Sequence, residues 1–122
     1  MTSQANIQTV QAYLDGFRKT NRVQILACLS EDVEWVLPGF FHTRGKPEFA
    51  SQIVSEGFEP NPTITAERTF EIGDTIIVEG NVDTKRTDGK EVKLAFCDVF
   101  DMRDAKIRRL VSYLVVLKPQ GA

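Results

Sequence analysis

Asp98 is the residue of this chain whose position most directly suggests chemistry. It belongs to residues 92–100, a run with the alternating pattern of a strand. Side chains of a strand point alternately to its two faces, so one face carries Val92, Leu94, Phe96, Asp98 and Phe100. A carboxyl among apolar neighbours is costly unless it is protonated or hydrogen-bonded, and such placements are enriched at functional sites. The sequence therefore predicts either a functional acid or a structural aspartate that backbone groups or an arginine satisfy.

Composition narrows the chemistry that Asp98 could serve. The chain has 122 residues, a net charge of −2, one histidine and two cysteines. This length fits one domain with one core, so we expect residues 1–122 to form a single domain. The charge offers no basic footprint for nucleic acid. One histidine without a close cysteine pair argues against a zinc site, and no Walker A or GxGxxG sequence supports a nucleotide. We therefore expect no metal and no cofactor.

The hydropathy pattern and the first residues favour a cytoplasmic protein. Met1-Thr2-Ser3-Gln4 lacks the basic region and the apolar core of a signal peptide. No apolar stretch is long enough to cross a bilayer, so we expect no membrane partner. Pro119 and Gly121 predict a loose tail after the last strand.

Helical spacing dominates the first part of the chain. Residues 6–19 carry one apolar stripe with Tyr13 at its border, formed by Ile7, Val10, Leu14 and Phe17. Asn21 is predicted to cap a second helix that runs to about residue 29.

A short strand and a third helix follow. Residues 33–37 alternate weakly and predict a strand, which Pro38-Gly39 ends. The next residues, including His42, are predicted to form a loop. Pro47 suits the first turn of a third helix, which Gly57 is predicted to end.

Strand patterns fill the second half of the chain. Four segments alternate, with turn signals such as Asp88-Gly89 between them: residues 63–72, 75–84, 91–102 and 106–117. Gly80 in mid-strand fits a bend or bulge. Helices first and antiparallel strands afterwards indicate an α+β fold. We expect a curved, mostly antiparallel sheet that wraps around the three N-terminal helices.

The order and spacing of these elements resemble the NTF2-like superfamily across nearly the whole chain. More narrowly, they resemble its ketosteroid isomerase and SnoaL-like polyketide cyclase branch. The matching segments are Val10-Gln11-Ala12-Tyr13, Leu29-Ser30-Glu31-Asp32-Val33-Glu34-Trp35, Pro38-Gly39 with Gly45, and Cys97-Asp98-Val99-Phe100 followed by a turn and Lys106-Ile107. The resemblance implies an NTF2-like cone with a central apolar pocket on its concave side. This fold hosts many chemistries and many plain binders.

The resemblance also implies roles for individual residues. Ketosteroid isomerases place a tyrosine and a protonated aspartate at the pocket base, where both donate hydrogen bonds to a developing enolate oxygen. Tyr13 and Asp98 fall at these two positions. The general-base aspartate of those enzymes immediately precedes the proline that ends the first strand, and Leu37 stands there in this chain. His42, near the expected pocket mouth, is the candidate replacement; the alternative is a partly exposed loop histidine.

The predicted pocket wall is apolar. Trp35 is favoured as a ligand contact because a wide flat ring suits a planar hydrophobic ligand. The other predicted wall residues are Leu37, Phe49, Ile53, Phe58, Val78, Phe96, Phe100, Leu110, Ser112 and Leu114. Arg68 shares a predicted face with Ile64, Ala66, Phe70 and Ile72. It either extends its stem outward or pairs with a buried carboxylate, Asp98 included, which would keep Asp98 ionised.

The other face of the last strand predicts an interface. It carries Ile107, Arg109, Val111, Tyr113 and Val115, next to Ala95, Cys97 and Val99 of the neighbouring strand. Such a face is too apolar for open water on a small domain. Homodimers are common in the resembling family, and C2 pairing is the usual symmetric solution. We therefore expect a homodimer through the convex sheet face.

Two classes of function stay open. In the first, the protein is an isomerase, cyclase or hydratase/dehydratase that acts on a small hydrophobic carbonyl compound. Tyr13 and Asp98 then stabilise an enolate-like oxyanion, and His42 or a bound water moves the proton. In the second, the protein is non-catalytic and binds a small hydrophobic molecule or serves as a scaffold, which Leu37 at the base position favours.

Overall fold

Three helices and six strands make up the fold. The computed structural model describes residues 3–117. The elements in chain order are α1 (Ser3–Lys19), α2 (Arg22–Ala27), β1 (Leu29–Leu37), β2 (Phe41–Arg44), α3 (Gly45–Ser51), β3 (Thr63–Ile72), β4 (Thr75–Lys85), β5 (Glu91–Arg103) and β6 (Lys106–Val116). The α+β prediction is confirmed. The tail predicted at residues 119–121 lies outside the described residues, and none of the described helices is long and apolar enough to cross a membrane.

The helices pack one apolar stripe against the sheet. On α1, Val10, Tyr13 and Leu14 are buried as the spacing predicts. Asn21 caps α2, its side-chain oxygen accepting a hydrogen bond from the backbone N–H of Gln24 at 3.1 Å. A Cβ at Gly16 would lie 2.8 Å from Cγ1 of Ile25, so the two helices approach closely because position 16 has no side chain.

The six strands form one curved, open sheet. Their order is β2-β1-β6-β5-β4-β3, and all neighbours are antiparallel except β1 and β6. The helices cover the concave side, here called the inner face, and the convex side is called the outer face. The inner face of the central strands is the core, with Ile76, Phe100, Ile107 and Leu110 fully buried.

Strand β6 extends beyond its neighbour β1. The β1–β6 register ends at Val36 opposite Val111, near the end of β1 at Leu37. Residues 113–117, here called the C-terminal strip, therefore have only β5 beside them among the described strands. All five side chains of the strip are apolar and substantially exposed.

Several predicted boundaries are wrong. Strand β1 begins at Leu29 rather than Val33, and the predicted loop around His42 is strand β2, paired with β1. Helix α3 ends at Ser51, and Gly57 lies in a later turn. Strand β1 is longer than its weak alternation predicts, because it pairs with β2 and β6 and such tertiary pairing overrides local patterns.

Two β-bulges overturn two predicted faces. Glu67 is an extra residue opposite the β4 pair Glu79–Gly80, so Phe70 and Ile72 lie on the outer face instead of sharing a face with Ile64 and Ala66. Arg108 is likewise an extra residue on β6. Ile107 therefore faces inward, opposite Met102, instead of sharing the outer face with Arg109 and Val111. A bulge adds one residue and shifts the parity of everything beyond it.

Gly80 of β4 lies opposite the bulge of β3, where the sequence predicted a bend or bulge. A Cβ at this position would collide with the carbonyl oxygen of Thr65 and would lie 3.0 Å from Cε1 of Phe96. Only glycine allows the bulged strand β3 to approach this closely.

Candidate active site

Asp98 lies at the centre of the inner face. On β5 it stands between Val78 of β4 and Ser112 of β6, directly opposite each in register. Its side chain is about nine-tenths buried. Tyr13 of helix α1 covers this part of the sheet and contacts Phe100, two residues further along β5, at a centroid distance of 5.5 Å. The predicted placement of both polar groups toward the core is what the fold produces.

Burial raises the pKa of the Asp98 carboxyl from 3.8 to about 7, and the hydrogen-bonding hydroxyl of Ser112 partly opposes this rise. Removal of a carboxylate from water penalises its charged form, whereas a donor stabilises it. Among the described residues, no cationic side chain forms an ion pair with Asp98. The group therefore changes protonation near neutral pH.

Tyr13 is a buried phenol among aromatic rings. Its ring lies edge-on to Phe49 at 6.2 Å and contacts Phe17 at 5.0 Å. Burial, followed by the nearby Asp98 carboxylate and the Cys28 thiolate, raises its pKa well above the ordinary value. The described residues contain no direct hydrogen bond between the Tyr13 hydroxyl and Asp98. Tyr13 thus keeps its proton and has a hydroxyl available as a donor.

Trp35 links the aromatic cluster to the polar centre. Its ring stacks on Phe49 at 4.3 Å with an interplanar angle of 22° and lies edge-on to Phe41 at 4.9 Å and to Phe17 at 5.9 Å. Its indole Nε1–H donates to the Ser112 hydroxyl at 3.0 Å in the buried interior. One ring face is therefore covered by Phe49, which limits the planar ligand contact that the sequence suggested.

Leu37 and His42 lie on opposite faces of the sheet. Leu37 faces inward, because it lies two residues from buried Trp35 on β1. His42 pairs with Val36 on the outer face, and its Nε2 lies 2.7 Å from Oε2 of Glu34. The predicted position of His42 at the pocket mouth is wrong, since the strand β2 directs its side chain away from Asp98.

Arg68 does not pair with Asp98. Its guanidinium Nη2 lies 2.7 Å from Oε1 of Glu79, with both side chains well exposed on the outer face. The bulge at Glu67 produces this orientation. Of the two possibilities that the sequence left open, the outward one is confirmed, and the alternative in which Arg68 holds Asp98 ionised is wrong.

Most predicted wall residues are buried around this centre. Those buried on the inner side are Phe49, Ile53, Val78, Phe96, Phe100, Leu110 and Ser112. Leu114 is 38% exposed at the rim. Phe58 is far from the centre, because it bridges Arg86, eight residues beyond Val78 along the chain and about 25 Å at strand spacing.

Two open depressions lie elsewhere on the surface. One, of about 390 Å³, lies beside the β4–β5 hairpin and is lined by residues such as Asn61, Thr84 and Val92. The other, of about 420 Å³, lies between α1 and α2 around Thr9 and Cys28. Neither includes Tyr13 or Asp98, so the polar centre lies in the packed interior rather than in either depression.

A family comparison agrees with this architecture. The model of the SnoaL-like domain matches residues 10–110, which contain the helix with Tyr13 and the strands with Trp35 and Asp98. The chain belongs to the SnoaL-like domain family. No curated protein matched the chain significantly.

Solved structures show the same fold at low sequence identity. A LEH-like epoxide hydrolase from M. tuberculosis has a TM-score of 0.80 and 19% identity, with 92% of this chain and 84% of that chain covered. TerC, co-crystallised with polyporic acid, has a TM-score of 0.80 and 26% identity, with 88% and 89% covered. A putative polyketide cyclase from Xanthomonas campestris has a TM-score of 0.81 and 24% identity, with 90% of each chain covered.

Sequence reasoning missed two buried polar residues of this SnoaL-like domain, Asn6 on α1 and Thr43 on β2. Thr43 pairs with Trp35 on the inner face, is buried, and has a hydroxyl without a hydrogen-bond partner. A hairpin assignment for residues 33–44 would have placed it there by parity. The sequence also gave no signal for the bond between Trp35 and Ser112, because 77 residues separate the two.

Proposed function

We propose that this SnoaL-like domain is an enzyme that acts on a small hydrophobic carbonyl compound, as an isomerase, cyclase or hydratase/dehydratase. The observation that carries the proposal is the buried, cation-free carboxyl of Asp98 in the same aromatic interior as the Tyr13 hydroxyl. The Asp98 carboxyl holds a proton below its pKa of about 7, and the Tyr13 phenol holds one throughout the neutral range, so each can donate to an oxygen that gains negative charge.

The proposed chemistry is stabilisation of an enolate-like oxyanion. When a base removes a proton next to a carbonyl, charge develops on the carbonyl oxygen, and donors already fixed in a dry site stabilise that charge without reorganisation. Asp98 acts in its protonated form, so the donor is lost as the pH rises through its pKa of about 7. Turnover should decline above that pH.

Proton transfer in this proposal is assigned to a water molecule bound with the substrate. Leu37 has no titratable group, and His42 points to the outer face. Of the two proton carriers that the sequence suggested, the bound water is therefore retained and His42 is set aside.

The relatives support this class of substrate. The similar structures include a putative polyketide cyclase, a LEH-like epoxide hydrolase and TerC crystallised with polyporic acid. Each of these names an organic molecule or an activity on one, and an interior of aromatic rings suits such a molecule.

The test is turnover of a compound panel by matched variants. The panel holds a β,γ-unsaturated ketone, an aromatic polyketide ester, an aliphatic epoxide and polyporic acid. For a compound that is turned over, Asp98→Ala and Tyr13→Phe should each lower kcat by about 100- to 1000-fold, as the loss of an oxyanion donor does. Asp83→Ala, at an exposed site of β4, is the control. Full activity of both inner-face variants would refute the proposal.

The second candidate is a non-catalytic pocket or scaffold protein. The observation that favours it is the filling of the interior by Tyr13, Phe17, Trp35, Phe49 and Phe100, together with leucine at the base position. Under this reading Asp98→Ala changes only stability or ligand affinity, and no panel compound is converted.

We also propose that a second copy of the chain covers the outer face. On the outer face, one row of residues that pair with each other across the sheet is apolar apart from His42 at its edge. The apolar residues of this row are Val36, Val111, Val99, Ile77 and Phe70. Two such rows can pack face to face in a C2 dimer. Size-exclusion chromatography with light scattering should give twice the chain mass, and a monomer at high concentration would contradict this.

A further inference from the structure

We propose that Trp35 is a positioning residue that acts through Ser112: its indole N–H fixes the Ser112 hydroxyl so that the hydroxyl donates its hydrogen to the Asp98 carboxyl. The inference deepens the proposed function and rests on it only for its effect on turnover. It concerns three residues on three strands, β1, β6 and β5, that meet on the inner face.

The indole is held in one orientation by its neighbours. Phe49 stacks on one ring face at 4.3 Å, and Phe41 and Phe17 contact the ring edge-on. Rings packed on several sides cannot rotate without opening the core. The direction of the N–H bond is therefore fixed by packing before the Ser112 hydroxyl meets it.

The donor inventory then decides which way the Ser112 hydrogen points. The indole N–H is only a donor, whereas a hydroxyl has one hydrogen and two acceptor sites. The 3.0 Å bond from Trp35 Nε1 occupies an acceptor site of Ser112 Oγ. Its hydrogen remains for another acceptor, and the Asp98 carboxyl stands directly opposite on β5. This arrangement favours the ionised carboxylate, which accepts that hydrogen.

Few titratable groups lie close enough to Asp98 to influence its protonation. Tyr13 from α1 is the titratable group near Asp98 on the helices, and because burial and the Asp98 carboxylate raise its pKa, it stays neutral while Asp98 titrates. The β4 neighbour is Val78, α3 contributes Phe49 to the core, and the segment after α3 contributes Ile53. The Trp35–Ser112 pair is therefore the main polar influence that offsets burial and keeps Asp98 titrating near neutral pH.

The first experiment uses the indole itself as a reporter. The chain has one tryptophan, so its indole N–H gives a single resonance in a ¹⁵N-labelled protein. A His42→Gln background removes the sole histidine, a residue type that changes charge over the same pH range. The indole resonance should move between pH 5 and 9 with the same midpoint as the Asp98 carboxyl carbon. In Ser112→Ala this movement should disappear.

The second experiment measures the Asp98 pKa in three variants. Ser112→Ala should raise the pKa of Asp98 by about one to two pKa units, the size expected when a hydrogen bond to a charged group is lost. Trp35→Phe should raise it by less, because the hydroxyl stays but is no longer fixed. Ser112→Thr, which keeps a hydroxyl, should restore the wild-type value. Thr43→Val is the control, since it removes a buried hydroxyl beside Trp35 that has no partner, and it should leave the pKa unchanged.

The outcomes separate this inference from the proposed function. An unchanged Asp98 pKa in Ser112→Ala, or an indole resonance that stays still while Asp98 titrates, overturns the inference whatever the enzyme does. If Trp35→Phe does not fold, the Ser112 variants and the wild-type titration still decide it. Turnover that survives in Asp98→Ala overturns the proposed function and leaves the pKa measurements intact. If the inference and the proposed function both hold, the decline of kcat should move to a higher pH in Ser112→Ala, together with the pKa of Asp98.

Discussion

Replacement of Asp98 by asparagine should make the protein more stable at high pH. The amide keeps the shape of the carboxyl but never ionises. The pKa of Asp98 rises from its ordinary value of 3.8 to about 7 on folding, and each pKa unit corresponds to about 1.4 kcal/mol. The buried carboxylate therefore costs the wild type about 4 kcal/mol once it is fully ionised.

The sign of the pH dependence follows from proton linkage. Between pH 4 and pH 7 the folded protein holds about one more proton at Asp98 than the unfolded chain, so wild-type stability falls as the pH rises. The contribution of Asp98 is fully present below pH 3.8 and is lost as the pH passes through about 7. The free energy of unfolding of Asp98→Asn minus that of wild type should therefore increase by about 4 kcal/mol from pH 4 to pH 8.

Urea unfolding at five pH values from 4 to 9 measures this difference. The comparison between variants removes the contributions of other carboxylates, which both proteins share. Asp83→Asn, which removes an exposed carboxyl of β4 that pairs with Lys93 at 3.4 Å, serves as the control for the loss of a carboxylate outside the core. A flat difference for Asp98→Asn would show that the Asp98 carboxyl is solvated or paired, and the reasoning about the site would be wrong.

Three further outcomes follow from the fold. Gly80→Ala should destabilise the protein by about 3 kcal/mol, because the new Cβ collides with the Thr65 carbonyl oxygen; thermal unfolding checks this, and a neutral effect would contradict the close approach. Phe70→Glu should convert the proposed dimer to monomer by light scattering, whereas Glu71→Gln on the same strand should leave the dimer intact. His42→Ala should keep kcat within about twofold, since its ring lies on the outer face and only groups at the reacting centre act in general acid–base catalysis; a loss of activity would return His42 to the proton-transfer step.

Local patterns were sufficient for the architecture and for the central residue of the site. The stripe on α1 placed Tyr13 inward, and the alternation of β5 placed Asp98 on the buried face, as the structure has them. Both inferences use residues that are neighbours along one regular element, where period and face are coupled directly. The Asn21 cap and the turn at Asp88-Gly89 are local in the same way.

Parity failed wherever the strand was irregular. The bulges at Glu67 and Arg108 reversed the predicted faces of Phe70, Ile72 and Ile107. A bulge has no signature in its own strand, because the cause lies in the partner, at Gly80 for the first of the two. The Trp35–Ser112 bond and the outward direction of His42 depend on the β1–β6 and β1–β2 pairings, which one sequence does not reveal.

The C-terminal strip gives this molecule a vulnerable edge. The N–H of Leu117 donates to Lys93 on β5, so by alternation the backbone groups of Leu114 and Val116 point to the side where β1 has already ended. Among residues 3–117, no strand pairs with these donors and acceptors, and the five side chains of the strip carry no charge. A strand of another chain can pair with such an edge. Concentrated or heated solutions of this domain should therefore aggregate through the C-terminal strip. A lysine introduced at position 116 is the simplest remedy for anyone who needs the protein at high concentration.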